Sequence, residues 1–367
     1  MEYKTTMQPV NGEFTKVTDT HNRQYGLDLI RAVAIVLVLI SHFVKKLAGL
    51  GFWGVELFFV LSGFLIGGIL WTSFMRSDSW STKYLVNFWS RRWWRTLPNY
   101  YLFFIVSFIF FYYYEGRLPD TSIVIKSIWF VQNLLSRNDG FYGVSWSLCI
   151  EEFFYILFPL TLFFISKITG KKKSFALTLL IFTIAPLIVR LVLAQQGVGG
   201  IRGITLARLD AINYGVLIRV ISLYYKDFVS KYKTHLFGAA IALLSVYLLY
   251  LFVTHANHKY ISSSIFALTV CPLILSLILP YMSSINPIQP LRGLVEKLSL
   301  WSYSIYLSHI PVLFTVYAIF GAARTNLTVN GLSKIVGLLI TIAISGVIYN
   351  YFEVPIMHKR PKDISRG

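Results

Sequence analysis

Ten apolar runs of about twenty residues, separated by short polar segments, constrain this chain more than any other feature. They lie at 27–47, 52–74, 98–114, 146–166, 174–195, 204–224, 236–254, 261–282, 299–320 and 333–353. Each is near the length a helix needs to cross a bilayer, and twice the length of a barrel strand. In lipid the backbone must satisfy its own hydrogen bonds, so runs of this length are expected to be helices. The expected fold is all-α, a polytopic membrane bundle of about ten transmembrane helices. Composition fits: 56% of the 367 residues are hydrophobic, 14% are charged and the mean hydropathy is +0.62, unlike a soluble or a disordered chain. Aromatics reach 17%, many near the ends of the runs, as an interfacial belt requires.

The expected organisation is an N-terminal tail (1–26), a membrane domain (27–355) and a short C-terminal tail (356–367), with no separate soluble domain. The first 26 residues hold no apolar core of a cleaved leader, so the first span is expected to act as an uncleaved anchor. Lys and Arg are more than twice as numerous in the segments on the N-terminal side as in those opposite. The positive-inside rule therefore puts both termini in the cytoplasm. This bias also accounts for much of the net charge of +18, as topological charge beside anionic lipid. Nucleic acid is not an expected partner. Cys149 and Cys271 sit in apolar runs and give neither a disulfide framework nor a metal spacing; no metal is expected.

Chemistry must then come from polar residues inside the runs, which are costly there and mark function by default. Arg31 and His42 share one face of the first span, three turns and about 16 Å apart. His42 is the side chain suited to exchange a proton near neutral pH; a hydrogen bond to a neighbouring helix would explain it equally. Glu56 opens the second span across a very short link and is expected to sit near His42, where it could orient the imidazole or compensate a cation. Gly63 and Gly67 form a small-xxx-small pair that lets another helix approach. The loop 115–145, with Trp129, Phe130, Gln132 and Asn133, is expected to re-enter the membrane in part.

Further along, Trp146 precedes the adjacent carboxylates Glu151 and Glu152, and Arg190, Arg208 and Asp210 add charge to the fifth and sixth spans. The ninth span carries Ser302, Tyr306 and His309 before Pro311. On the inner side, Arg91, Arg92 and Arg95 with Trp93 and Trp94 form a basic, aromatic cluster. Such a cluster suits a phosphate-bearing ligand, or an interfacial anchor.

Together these blocks resemble the acyltransferase-3 family of integral membrane O-acyltransferases, from about residue 24 to 356. Gly26-Leu27-Asp28-Leu29-Ile30-Arg31 through His42 is similar to the family's opening helix, with its Arg, ten residues, His signature. Gly54-Val55-Glu56-Leu57-Phe58-Phe59 through Phe64 is similar to its second motif, where many members carry Asp at the position of Glu56. Arg91 to Pro98, Trp146 with Glu151, Glu152 and Tyr155, and Ser302 to Pro311 resemble three further blocks.

The resemblance implies transfer of an acyl group, usually acetyl, from acyl-CoA to a hydroxyl of a carbohydrate or lipid-linked glycan at a bacterial inner membrane. Family acceptors include O-antigen, exopolysaccharide, peptidoglycan, nodulation oligosaccharides and macrolides. Some relatives carry a C-terminal esterase-like domain, which is not expected here. In that scheme Arg31, Arg91, Arg92 and Arg95 hold the CoA, and His42 acts as base or acyl carrier, oriented by Glu56. Glu151, Glu152, Trp146, Arg208, Tyr306 and His309 shape the acceptor side. A transporter of a small solute or glycan precursor is the alternative; it lacks support from an inverted repeat or paired broken helices. A catalytically silent sensor or scaffold is a third reading.

Overall fold

The computed structural model describes residues 24–77, 80–138, 140–255, 264–321 and 327–364. Residues 1–23 of the expected N-terminal tail lie outside that set. Every regular element among the described residues is helical. The spans begin with α1 (Tyr25–Phe43), α2 (Leu50–Arg76) and α3 (Thr82–Glu115); after a short α4 (Thr121–Ile128) come α5 (Trp146–Ser166) and α6 (Lys171–Gln195). Next are α7 (Leu209–Tyr224), α8 (Lys226–Val253), α9 (Ile265–Met282), α10 (Gln289–Phe320) and α11 (Leu327–Ile348). A π-helical turn, Tyr349–Glu353, carries α11 on to His358. Among the described residues nine helices are long and apolar enough to cross a membrane, so the protein is a polytopic helical bundle.

The sixth predicted run is the one that falls short. Its first residues form 3-10 turns at Ile201–Gly203 and Thr205–Ala207, leaving α7 with 16 residues. Ten of the 16 residues of α7 are buried, including every one from Leu209 to Val216, so Asp210 is held without meeting lipid. α2 and α7 run parallel, with Gly63 against the Ile212 carbonyl and Gly67 against Val216, and with Gly215 returning the contact to Val60. A Cβ at Gly67 would lie 2.8 Å from the Val216 Cα. This is the close approach that the small-xxx-small pair predicts.

Two boundaries differ from the sequence reading. The third span was expected to begin at Pro98, with the arginine cluster in a loop. Instead α3 runs unbroken through Pro98, and Arg91, Arg92 and Arg95 lie within it, on its third and fourth turns. Proline removes one intrahelical donor, and a long helix braced by neighbours absorbs that loss. α10 likewise starts ten residues earlier than expected, at Gln289, and continues through Pro311.

The 115–145 segment packs back into the bundle. The Tyr100 hydroxyl donates to the Ser127 carbonyl at 2.7 Å, and Phe130 stacks on Tyr100 with centroids 4.0 Å apart. Gln132 and Asn133 are buried, whereas Trp129 is exposed.

Candidate functional site

α1 and α10 define the site. They run parallel, and two contacts set their register. At the end where α1 starts, here called proximal, Arg31 donates to Ser299 at 3.3 Å. Ser299 donates in turn to Asp28 at 2.6 Å. At the distal end the rings of His42 and His309 meet edge-on, with centroids 4.8 Å apart. Eleven residues on one helix and ten on the other separate these contacts, so both helices carry a polar stripe from one cavity to another.

The proximal cavity is small, about 120 Å³, and is lined by Arg31, Arg92, Arg95, Glu151, Tyr155 and Ser302 among others. Arg92 lies over the Tyr155 ring, 4.5 Å from its centroid. The Tyr155 hydroxyl bonds to Glu151 at 3.3 Å and to Ser62. Glu152 accepts from Thr96 at 2.8 Å. Behind this wall Glu353 accepts from Asn99 at 2.8 Å and Ser304 at 2.9 Å.

Two expectations are corrected here. The structure places Glu151 beside Arg92 and Arg95 of α3 in the proximal cavity rather than in the cavity of His42, and Glu152 against Thr96 of the same helix. Arg91 does not line that cavity: it donates to the Pro361 carbonyl at 2.6 Å and faces Asp363 at 3.7 Å, tying down the chain's own C-terminal segment. Arg92 and Arg95, three apart on α3, are the two that face inward.

The distal cavity is larger, about 630 Å³, and contains His42, His309, Trp146, Phe141 and Arg202 in its walls. Val55 and Tyr306 line both cavities and form the partition between them. The Tyr306 hydroxyl is fixed by Ser147 Oγ at 2.7 Å and the Val144 carbonyl at 3.2 Å. His42 Nδ1 lies 2.9 Å from the Val38 carbonyl oxygen and 3.1 Å from Ser41 Oγ. A carbonyl only accepts, so in the neutral ring the proton sits on Nδ1 and Nε2 is the basic nitrogen.

Glu56 does not orient this imidazole. Its carboxylate is buried in an ion pair with Arg208 and faces Arg202 at 3.8 Å. The His42 ring is held instead by its own helix's carbonyl and by His309. Arg208 is fully buried in that pair, with a second bond to the Leu268 carbonyl at 2.6 Å, and does not line the distal cavity. Arg190 is spent on a bidentate pair with Asp210, at 2.8 and 2.7 Å.

Arg202 was not singled out in the sequence, because it sits in a glycine-rich connection without periodicity. Its guanidinium lies over the rings of Phe52 and Trp146, 4.9 Å from each centroid. Burial pushes its pKa down to about 10, with Glu56 opposing the shift, so it stays charged at neutral pH. Among the described residues no cluster of three or more His, Cys, Asp and Glu side chains is placed to hold a metal ion.

The arrangement is an arginine-lined pocket and an imidazole-lined pocket set back to back, which suits carrying a group from an anionic donor to a second substrate. Comparison with known proteins points to group transfer as well. The O-acetyltransferase OatA of Staphylococcus aureus is 26% identical over 371 residues, covering 95% of this chain and 60% of its own length. The peptidoglycan O-acetyltransferase OatA of Listeria monocytogenes is 33% identical over 159 residues, 39% of this chain and 25% of its own. The putative peptidoglycan O-acetyltransferase YrhL of Bacillus subtilis is 32% identical over 193 residues, 49% of this chain and 30% of its own. The chain thus spans at most about three-fifths of the length of these relatives. No solved structure matches it. The family model described as an acyltransferase domain matches residues 24–350, nearly the whole membrane bundle, and the chain belongs to the acyltransferase-3 family.

Proposed function

We propose that this protein is an O-acetyltransferase of the bacterial inner membrane. It takes an acetyl group from cytoplasmic acetyl-CoA and delivers it to a hydroxyl of a carbohydrate at the far face, with peptidoglycan the leading acceptor. The observation that carries this reading is the pair of cavities meeting at Val55 and Tyr306, one lined by arginines and the other by histidines. The names of the relatives support an O-acetyl product and a glycan acceptor. The excess of Lys and Arg on the proximal side supports a cytoplasmic donor face.

In this reading Arg92 and Arg95 attract the phosphates of the donor and Arg31 positions the arm that bears the thioester. His42 acts through Nε2 on the reacting group, either as general base or as transient acyl carrier. Trp146 and Phe141 offer flat apolar faces against which a sugar can pack.

His42→Ala, expressed at the wild-type level, is expected to lower ester-linked acetate on the cell surface by at least ~100-fold. Undiminished acetate would remove His42 from the reaction. Acetyl-CoA is expected to raise the melting temperature of the purified wild type, and less so that of Arg92→Gln or Arg95→Gln. No shift in the wild type, together with solute uptake in liposomes, would favour a transporter instead.

A further inference from the structure

We propose that His309 is a second catalytic imidazole: when His42 carries the acyl group, His309 is the base that deprotonates the acceptor hydroxyl. The proposal rests on the acetyl-transfer reading above and divides its chemistry between two side chains. Four observations carry it. His309 is fully buried yet lines the distal cavity. Its ring meets His42 edge-on at 4.8 Å, with the planes 62° apart. Its Nδ1 lies 2.6 Å from the Tyr306 carbonyl oxygen, which forces the proton onto Nδ1 and leaves Nε2 with a free lone pair. That Nε2 has no hydrogen-bond partner among the described residues.

A buried polar atom without a partner is costly, and native structures keep few of them. Here it belongs to a proton acceptor on a residue that lines a cavity, next to an imidazole held in the same tautomer. His42 is fixed by the Val38 carbonyl just as His309 is fixed by that of Tyr306. A single imidazole cannot hold an acyl group on Nε2 and accept a proton there, because both uses need one lone pair. Two imidazoles in contact remove that conflict. Glu56, the carboxylate expected to orient His42, is already engaged by Arg208.

The steps balance. His42 Nε2 bonds to the thioester carbonyl carbon while the carbon–sulfur bond breaks, and the CoA thiolate leaves and takes a proton from water. The acceptor oxygen then attacks the acyl carbon as its proton passes to His309 Nε2. The carbon–nitrogen bond breaks, returning its electron pair to His42 Nε2, and His309 releases the proton to solvent. Thioester and alcohol become ester and thiol.

The experiment compares two acceptors. The natural hydroxyl needs a base; hydroxylamine attacks an acyl-imidazole without first losing a proton. Ester-linked acetate is measured on cells, and acetohydroxamate formed from acetyl-CoA is measured with the purified full chain above the uncatalysed background. His309→Asn keeps an N–H for the Tyr306 carbonyl, and His309→Gln serves if its melting temperature is nearer the wild type. The His309 variant is expected to lose ester acetate by at least ~100-fold while retaining acetohydroxamate formation within a small factor, and His42→Asn to lose both. A folded His309 variant that loses both activities, or neither, overturns the proposal. Wild type that makes ester acetate but no acetohydroxamate overturns it as well and leaves O-acetylation standing with His42 as base. Wild type that makes neither defeats the acetyl-transfer reading itself.

Discussion

Two blocks of this bundle bury charge in the membrane, and they use it in opposite ways. In the block of α2, α6 and α7, Arg190 donates to Asp210, Ala207 and Thr269, and Arg208 to Glu56 and Leu268; both side chains are inaccessible. Along α1, α3 and α10, by contrast, Arg31, Arg92, Arg95, His42 and His309 line cavities. The first block spends its charges wholly on buried protein partners. In the second Arg31 also has protein partners, Ser299 and Asp28, but each of the cavity-lining side chains just named borders a space that something can enter. An ionisable residue inside a membrane is a functional hypothesis by default. The comparison shows that partners, rather than position alone, sort structural charges from those available for chemistry.

The strongest way to break this contrast is to remove one member of a pair in the closed block. Asp210→Asn or Glu56→Gln leaves a guanidinium buried and uncompensated, at a cost of roughly 3–5 kcal/mol. Either is expected to lower the melting temperature in detergent more than any single change along the cavities. Replacing both partners, Arg190→Leu with Asp210→Leu, is expected to recover most of the loss, since an apolar pair leaves no unpaired charge. If Glu56→Gln instead kept the wild-type melting temperature and abolished acetylation, Glu56 would belong with the open block and the sorting rule would fail.

A smaller effect is expected inside the closed block, where α2 and α7 touch. Gly63→Ala presses a methyl against the Ile212 carbonyl on α7, and overpacking of this kind costs about 1–3 kcal/mol. Ala at Gly116 meets no atom within 4 Å but sits at φ 64°, so a loss there would come from backbone strain alone. Equal losses at Gly63 and at the contact-free Gly238 would remove the close approach of α2 and α7 as a stabilising feature.

That contact was legible in the sequence because a small-xxx-small pair is a local pattern. So were the spans, whose apolar length is set by the bilayer, and the Arg31-to-His42 stripe, which is helical periodicity. What could not be read were choices among partners on different helices. Glu56 follows His42 closely in sequence, yet the fold turns it toward α7, where Arg208 stands. Glu151 and Glu152 were misplaced because the side of the membrane gives depth only coarsely, and the arginines opposite them come from a helix whose start Pro98 concealed. Arg202 lay in a loop without a periodic signal.

The least effect is expected at the partition itself. Tyr306→Phe keeps the ring between the two cavities and removes only the hydroxyl bonded to Ser147 and to the Val144 carbonyl. Ser147 Oγ keeps the Val144 carbonyl at 3.4 Å as an acceptor, so the change orphans no donor. The net loss of such a bond is about 1 kcal/mol, and thermal unfolding is expected to shift accordingly. Acetylation is expected to stay close to wild type, because the wall remains in place. A stability loss as large as that of Asp210→Asn would move Tyr306 into the closed block, as a support that merely borders the cavities. A large loss of acetylation at unchanged stability would place its hydroxyl among the groups that meet the reacting atoms.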